Sequence, residues 1–560
     1  MQLIASLRSH TIGVLMVGLY SIAAAAEPAA PVIELPRFVV TELRELPPPE
    51  SWRYAEIPGL EILSQASEAH TRRFARNFLR LQQVTEIVWP AITRGAPPLP
   101  AVLVLCDGGS AFESFRPTKP GPESIETTSL LLHENERTAI VVDVVREKSD
   151  VRLSAAGAAV EPASTDAEVA GSGGFMTEND PYREFYLQYF RLTIRRGAGT
   201  VAPWLEEGLV QLLASIDFSK DYIAIGRLRD GAGGQRADEF NLQLSHRPLL
   251  PLEEMFARER PGSAAASAYS AQCYAFVHLC LYGKKARHRP ALLKLVERAA
   301  SAPVTEPTFK ECFGLSFEQM ATELRAYVSF TAHEYVEFRA DKGSPGLEEP
   351  PALRLHEATQ AEIGRIKGET FQLGGHADRA RTALIAPYVR NEYDPRLLAA
   401  LGLDERRRGQ DERARKLFEA AARDRAHYPR AYLELARIRF AGARTGAAAN
   451  APLSREQAIS ILQPLLTATR QSPPLPEVYE LIAEVWAISA RAPSPEELAV
   501  LYEGAQRFPR RLRLVYLTAA LALRHGTADT ARALIVHGLK IAGDSEVSQH
   551  FKALKAQLPD

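Results

Sequence analysis

The residues best suited to chemistry lie in one stretch, DPYREFYLQYFRLTIRRGAGTVAPWLEEGL, at positions 180 to 209. Asp180 and Pro181 predict the start of a helix, because a short acidic side chain caps the first turn and proline tolerates that place. A second helix is predicted at PWLEEGL. Carboxylates can act as general bases or bind a metal ion, and the stretch contains Asp180, Glu184, Glu206 and Glu207.

The two predicted helices resemble the centre of a gluzincin metallopeptidase, of the peptidase-MA-like, thermolysin type. In that family an HExxH helix presents two histidines to one zinc ion, and a second helix supplies a glutamate. PWLEEGL resembles the second helix, which implies Glu207 as the third ligand, and PYREFYLQYF lies where the first helix should be. The resemblance spans residues 52 to 340 and implies an α+β gluzincin-like fold with Glu184 as general base.

The histidine positions of that motif hold other residues here. When the motif is aligned on Glu184, they fall on Arg183 and Leu187. Arginine stays protonated and leucine has no donor atom, so neither side chain can bind zinc. We therefore expect no catalytic residue, no metal and no cofactor. We also expect Arg183 to pair with Glu207 in place of the ion, since a buried carboxylate needs a compensating charge.

Two other interpretations of this region stay open. In the first, the chain is an active metal-dependent peptidase that binds zinc through Glu184 and Glu207, with His133 or His278 supplied from elsewhere. In the second, the two helices are ordinary core elements and the glutamates of PWLEEGL are solvated. Gly208 argues against the second, because a glycine inside a helix costs about 1 kcal/mol and usually permits a close backbone approach.

The remaining histidines and glycine-rich segments give weaker signals. HEYVE at 333 to 337 is nearly an HExxH motif, and His333 and Glu337 would share a face of a helix, but no W-L-x-E-G element follows. His278 lies in an apolar predicted helix and is expected to be a core residue, whereas His133 lies beside a turn and is expected to be exposed. GRLRDGAGGQ lacks the Lys-Ser/Thr of a phosphate-binding loop.

Composition limits the class of protein. The chain has 560 residues, of which 46% are hydrophobic and 24% charged, with a formal net charge of −1. This length predicts two to four domains, and the proportions are those of a globular protein. We expect no nucleic-acid partner, because no basic excess exists to neutralise phosphates.

The first 26 residues predict a bacterial-type signal peptide. Arg8 precedes the apolar run TIGVLMVGLYSIAAAA, and Ala24 and Ala26 satisfy the small-x-small cleavage rule before Glu27. An uncleaved membrane anchor is the alternative, although the run is shorter than the ~20 residues of a membrane span. We expect an exported protein, periplasmic or extracellular, with no membrane span after cleavage.

Four cysteines in so long a chain do not form a disulfide framework. Cys273 and Cys280 lie seven residues apart on a predicted helix, about 10 Å along its axis, too far for a bridge. Cys106 ends a predicted buried strand. Buried free thiols are expected, while a pair involving Cys312 stays open.

The region before residue 345 alternates strands and helices. Residues 27–50 predict an extended arm or linker, and residues 51–345 a mixed α+β domain. WRYAEIPGLEILSQ, AVLVLC and the segments either side of ENER predict strands, and SEAHTRRFARNFLRLQQVTEIVWP predicts an amphipathic helix. Residues 146–178 are small and polar without periodicity, which predicts a mobile insertion.

Residues 346–560 predict an all-α solenoid. Ala380 and Ala414 lie 34 positions apart, the tetratricopeptide period, as do Leu384 and Phe418. Together with Gly402, these residues resemble the small and aromatic positions of that motif. The same interval also separates Pro395 and Pro429, and similar spacings recur later at Ala519, Ala531, Ile535 and Gly538. About four or five degenerate repeats follow, although an unrelated helical bundle is an alternative.

The combined sequence features favour a binding or scaffold protein. A degenerate peptidase domain would keep a cleft without its chemistry, and a helical solenoid offers a surface for a protein or peptide partner. The active metallopeptidase is the alternative. A third possibility is that the repeats carry the whole function and the front domain is a spacer.

Overall fold

The computed structural model describes most of the chain after the predicted leader, in segments separated by gaps. The described residues are 34–38, 46–57, 59–88, 101–118, 129–134, 137–144, 189–191, 194, 201–218, 222–228, 240–257, 266–299, 303–330, 333–339, 352–445, 451–525, 528–543 and 545–558. The predicted signal peptide, the predicted insertion at 146–178, and Arg183, Glu184 and Leu187 lie outside them.

A six-stranded mixed sheet forms the front of the molecule. Its strands are β1 (Arg53–Ile57), β2 (Leu60–Ser64), β3 (Ala101–Cys106), β4 (Ser129–His133), β5 (Thr138–Asp143) and a short β9 (His356–Glu357). The order is β4-β5-β3-β2-β1-β9, with β2, β3 and β5 parallel and the other neighbours antiparallel. The predicted strand WRYAEIPGLEILSQ is two strands joined at Gly59, whose φ of 77° suits glycine in a tight turn.

Alternate residues of this sheet face two different cores. Ile62, Leu103 and Ile140 point to one core, whereas Leu63 and Val104 point to the other. This period of two is what a sheet covered on both faces requires. The sheet is therefore the central layer of the region.

The helices before residue 340 pack on the sheet, and most of them cover its first face. They are α1 (Glu68–Val88), α2 (Gly109–Glu113), α3 (Pro203–Ala214), α4 (Phe240–Leu244), α5 (Leu252–Phe256), α6 (Ala266–Ala286), α7 (Arg289–Ala299), α8 (Glu306–Phe313) and α9 (Phe317–Val328). All of them except α2 contribute to the core on that face, and α2 packs on the other. Helical geometry in α6 breaks at Gly283, before two lysines with positive φ.

A small antiparallel sheet lies beside these helices. Its strands are β6 (Asp217–Phe218), β7 (Tyr222–Ile225) and β8 (Val336–Arg339), in the order β6-β7-β8. HEYVE therefore enters a strand, with Val336 opposite Ile225. The premise that His333 and Glu337 share a helical face is wrong, because strand pairing with β7 overrides the local pattern.

The helical repeats begin on the second face of the large sheet. The first repeat helix, α10 (Gln360–Leu373), is capped by Thr359 and Glu362 in a capping box. Ile363, Ile366 and Phe371 of α10 share a core with the sheet. Since β9 also pairs with β1, the sheet and the first repeat fold as one packed unit.

Ten further helices follow α10 in the described part of the chain. They are α11 (Ala377–Val389), α12 (Pro395–Arg407), α13 (Asp411–Arg423), α14 (Pro429–Ala443), α15 (Arg455–Thr469), α16 (Pro476–Ile488), α17 (Pro495–Arg507), α18 (Leu512–Arg524), α19 (Ala528–Ala542) and α20 (Glu546–Lys555). Consecutive helices pack as pairs, beginning with α10 and α11, and α20 closes the series. The prediction of an α+β region followed by a helical repeat region is confirmed.

Small residues permit the close packing within these pairs. A Cβ on Gly402 of α12 would lie 2.5 Å from the ring of Phe418 of α13, and one on Gly538 of α19 would lie 2.2 Å from Phe551. Neither glycine can carry a side chain without displacing its aromatic neighbour. The predicted small positions Gly402 and Gly538 thus lie at close contacts between neighbouring helices.

Two further predictions concern thiols and membrane spans. All four cysteines are free, and only Cys312 is partly exposed. Within the described segments, no helix has the length and apolar character needed to span a membrane.

Candidate functional site

The helix α3 carries the candidate ligand Glu207. It begins at Pro203, which occupies the first turn where a missing N–H costs nothing. The fully buried Trp204 anchors it, with its ring edge-on to Phe256 and Phe276 at centroid distances of 5.1 and 5.7 Å. These contacts fix the rotation of α3 about its own axis, and hence the direction in which Glu207 points.

Close contact with α6 further constrains this helix. A Cβ on Gly208 would lie 2.6 Å from the carbonyl oxygen of Cys273 and 2.6 Å from a methyl carbon of Val277. Only glycine leaves room for the two backbones at this distance. The prediction that Gly208 permits a close backbone approach is confirmed.

The Glu207 carboxylate is buried and held by hydrogen-bond donors. Ser270 Oγ donates to its Oε1 at 2.8 Å, and Gln211 Nε2 donates to the same atom at 3.0 Å. Arg191 donates from Nη2 to Oε2 at 3.3 Å and to Oε1 at 3.5 Å, so the charge is compensated. The interpretation in which the glutamates of PWLEEGL are solvated is wrong, because Glu206 and Glu207 are 5% and 3% exposed.

Arg191 is the partner that sequence reasoning missed. The predicted partner, Arg183, lies outside the described residues, so its proposed pair with Glu207 stays a prediction. Arg183, Leu187 and Arg191 are spaced by four, and therefore share one face of the predicted helix. The continuation of the four-residue spacing to Arg191 was the sequence signal that could have identified this arginine.

The described residues around Glu207 do not supply a set of metal ligands. No group of three or more His, Cys, Asp or Glu side chains with suitable placement occurs there. Glu184, the second acidic residue of the active-peptidase interpretation, is not among the described residues. The oxygens of Glu207 instead accept from nitrogen and hydroxyl donors.

His278 is a buried core residue with both ring nitrogens engaged. Its Nε2 lies 2.5 Å from the carbonyl oxygen of Gly226, which can only accept, so Nε2 carries the proton. Its Nδ1 then accepts from the hydroxyl of Tyr327 at 2.7 Å. Burial lowers the pKa of His278 to about 3. No lone pair is left for a metal ion, and the predicted core role is confirmed.

The other histidines considered from sequence lie elsewhere. His133 is exposed at the end of β4, as predicted. His333 Nε2 donates to the carbonyl oxygen of Tyr327 at 3.0 Å, and the rings of His333 and His278 are 6.0 Å apart. His333 therefore belongs to the buried aromatic cluster around Tyr327.

A second candidate site is a cavity of about 210 Å³ between the large sheet and the repeats. The first residues of β2, β3 and β5 form one wall, and α10 with the first turns of α12 and α14 forms the other. Arg137, Arg396 and Arg430 line it together with Glu56 and Glu369. Because the cavity presents charges of both signs beside apolar strand ends, its lining indicates no single class of ligand.

A buried ion pair closes one side of this cavity. Arg365 of α10 donates to Glu61 from both terminal nitrogens, at 2.5 and 3.1 Å. Burial would raise the pKa of Glu61, but the charge and hydrogen bonds of Arg365 lower it to about 2. Arg396 and the hydroxyl of Tyr54 also donate to Glu61, at 3.2 and 2.7 Å. This cluster joins the sheet to the first two repeats.

Comparisons with known proteins concern the helical part of the fold. No protein-family model matches the sequence, and the search of curated proteins gives no match. A thermophilic TPR protein of Thermus thermophilus is 19% identical over 34% of this chain and 97% of that chain, with a TM-score of 0.24.

Two other solved structures are similar to the same limited degree. YrrB, a TPR protein with an unusual peptide-binding site, is 13% identical over 33% of this chain and 88% of its own, with a TM-score of 0.26. Pseudomonas aeruginosa pilF is 12% identical over 36% of this chain and 90% of its own, with a TM-score of 0.25. Similarity of this degree assigns no function to the chain.

Proposed function

We propose that the protein is an exported, non-catalytic relative of gluzincin peptidases that binds a protein or peptide partner through its helical repeats. The observation that carries the proposal is the engagement of Glu207 by Arg191, Ser270 and Gln211. In the resembled peptidases this glutamate would be the zinc ligand. Here a guanidinium supplies the positive charge that the ion would supply there.

Electrostatics explain why this arrangement opposes metal binding. A zinc ion placed on Glu207 would lie beside the Arg191 guanidinium, which cannot lose its proton. A divalent zinc ion and a guanidinium about 4 Å apart repel each other by about 8 kcal/mol at an effective dielectric constant of about 20. Arg183 and Leu187, at the aligned histidine positions, also argue against zinc binding, because neither side chain is a zinc ligand.

The repeat region is the part of the molecule suited to binding. Helix pairs stacked in series expose a long surface whose shape does not depend on a single compact core. The front domain adds rigidity at one end, since α10 packs on the sheet and Arg365 bonds to Glu61 across the junction. We propose export on the basis of the predicted signal peptide.

Metal analysis of the full mature chain tests the non-catalytic assignment. We expect less than about one zinc ion per ten chains after purification without chelators, and no cleavage of a quenched peptide library. The active-peptidase alternative predicts nearly one zinc ion per chain and cleavage that Glu184→Gln abolishes. Glu207→Gln would then remove the zinc, whereas its neighbour Glu206→Gln would not. That pair of results would overturn the proposal.

A stability measurement tests the role of the arginine. Arg191→Met leaves Glu207 buried with only neutral donors among those described above, and should lower the free energy of unfolding by about 3 kcal/mol. Arg183→Met is the matched control at the predicted partner position. A larger loss for Arg183→Met would show that the sequence-based pairing is correct and that Arg191 is secondary.

A further inference from the structure

Residues 34–38 of the predicted arm lie against the helical repeats. This segment, ELPRF, is neither helix nor strand, and it contacts α11 and α13, the second helices of the first two pairs. Leu35 and Phe38 pack on the core that these pairs share. The contact was not expected from the sequence, which predicted only an extended arm or linker.

Phe38 occupies an aromatic slot on this surface, formed by Tyr388, Arg381 and Arg413. Its ring is edge-on to the ring of Tyr388, at a centroid distance of 5.2 Å and an interplanar angle of 82°. The guanidinium carbon of Arg413 lies over the ring at 4.4 Å from its centroid, and that of Arg381 at 5.6 Å. Such a slot selects an aromatic side chain, because only a π-face attracts a guanidinium in this way.

Buried acids hold the two arginines in place. Arg381 Nη1 donates to Asp404 Oδ2 at 2.6 Å and to Glu405 Oε1 at 2.7 Å. Arg413 forms an ion pair with Glu405, with Nε 3.1 Å from Oε2. The side chains of Asp404 and Glu405 are 4% and 0% exposed. The slot is therefore fixed by the repeats themselves, which limits the ordering that a ligand must impose.

The surface also contacts the backbone of the bound segment. The hydroxyl of Tyr388 donates to the carbonyl oxygen of Pro36 at 2.8 Å, and Arg413 Nη2 donates to that of Arg37 at 3.4 Å. The side chain of Arg37 is exposed. Recognition consequently depends on two carbonyl groups, an aromatic ring and a leucine, and not on the charge at position 37.

We propose that the groove between α11 and α13 is a binding site for a non-helical segment of a protein partner that carries an aromatic side chain two residues after a proline. Residues 34–38 occupy this site intramolecularly and compete with the partner. This inference rests on the proposed function, since it names the surface and the partner chemistry of the same repeats. The groove is formed by the second helices of two pairs.

The bound arm is suited to exchange. The segment at residues 34–38 is short, and its Leu35 and Phe38 stay partly exposed. An intramolecular segment on a short linker competes at an effective concentration of about 1 mM. For a segment with a dissociation constant of about 0.1 mM, the arm therefore weakens the apparent affinity of an identical free peptide roughly tenfold.

Peptide binding to the full chain tests the proposal. The probe is a fluorescent peptide with the sequence of residues 31–41, PVIELPRFVVT. We expect it to bind the Phe38→Ala chain and to bind the unmodified chain roughly tenfold more weakly, because the arm then fills the slot. Binding should persist for a peptide with alanine in place of Arg37, and be lost for one with alanine in place of Phe38.

Variants of the groove make the assignment specific. Tyr388→Phe, added to the Phe38→Ala chain, removes only the hydroxyl donor and should weaken peptide binding about fivefold. Arg413→Ala in the same background should weaken it at least roughly tenfold. Arg415→Ala is the matched control on α13, because Arg415 pairs with Glu412 and Glu419 on its own helix. Circular dichroism verifies that each variant is folded.

Three results would overturn the proposal. A folded Phe38→Ala chain that does not bind the peptide would exclude the groove as a site, and equal affinity for both chains would exclude the arm as its occupant. A dimer of the unmodified chain that Phe38→Ala dissociates would replace the foreign partner with the arm of a second copy. Each of these leaves the non-catalytic assignment standing, because that assignment depends on the metal and cleavage measurements.

Discussion

Replacement of Arg365 by methionine gives the sharpest test of how the sheet and the repeats are joined. The Arg365 side chain is 2% exposed, and its two terminal nitrogens donate to the two oxygens of Glu61. Methionine has a similar length but no charge, so the change removes the ion pair and leaves little empty space. The Glu61 carboxylate then stays in the interface with only part of the positive charge and hydrogen bonding that stabilised it.

The magnitude follows from the protonation equilibrium of Glu61. Burial opposes ionisation, but Arg365, with smaller contributions from Tyr54 and Arg396, lowers the pKa of Glu61 from 4.5 to about 2, which corresponds to about 3 kcal/mol in favour of the ionised folded form. Arg396 and Tyr54 still contact the carboxylate after the change, and its side chain is 17% exposed. We therefore expect the lower end of the roughly 3–5 kcal/mol that breaking a buried pair costs.

The assay is denaturant unfolding of the full chain at pH 7, with circular dichroism as the signal. Arg365→Met should lower the free energy of unfolding by about 3 kcal/mol. The double variant with Glu61→Leu should recover at least half of the loss, since it removes the stranded charge. A loss below about 1 kcal/mol, or a double variant as unstable as the sum of the single changes, would refute this account of the junction.

Acid titration provides an independent check of the same pair. The pKa of Glu61 is lower in the folded state than in the unfolded chain, so its contribution is fully present above pH 4.5 and is lost as the pH falls towards 2. Arg365→Met should therefore flatten the decline of stability over this range. An unchanged acid dependence would show that Arg365 does not set the protonation of Glu61.

The remaining predictions concern helix packing and a buried histidine. Gly208→Ala should destabilise the chain by about 1–3 kcal/mol, because the new methyl group collides with Cys273 and Val277. Gly442→Ala is its control in a helix with open space, and unfolding should show a gain of up to about 1 kcal/mol. On acidification from pH 7 to pH 5, the free energy of unfolding of the His278→Gln chain should fall by about 2 kcal/mol less than that of the unmodified chain. Its folded pKa of about 3 lies below the unfolded 6.5, so acid protonates the unfolded chain first. Equal pH profiles for the two chains would refute the histidine argument.

The alternation and spacing of apolar residues determined much of the architecture. Ile62 and Leu63 are consecutive and face opposite cores, as the period of two predicts for a sheet covered on both sides. The intervals that relate Gly402 to Phe418 identified the contacts inside a helix pair. These features are local, since neighbouring residues of one helix or strand fix which side chains share a face.

Local patterns failed where another element competed for the same residues. HEYVE has helical spacing, yet Val336 enters β8 because β7 offers a pairing edge. For residues 27–50 the sequence predicted an extended arm or linker, but it did not indicate that Phe38 packs in a slot formed by Tyr388 and Arg413. The sequence contains each of these side chains, but not the proximity of elements far apart in the chain.

The sequence by itself determined that arginine and leucine stand at positions 183 and 187, the residue types from which the absence of zinc ligands was predicted. Only the tertiary structure decided that Arg191 compensates Glu207, and that Arg365 meets Glu61 from 304 positions away. The physical reason is that the partner of a buried charged side chain is determined by the elements that pack around it and exclude water. Residue types and local hydrophobic periods can be identified in the sequence, whereas the pairing of buried charges depends on how whole helices and strands pack together.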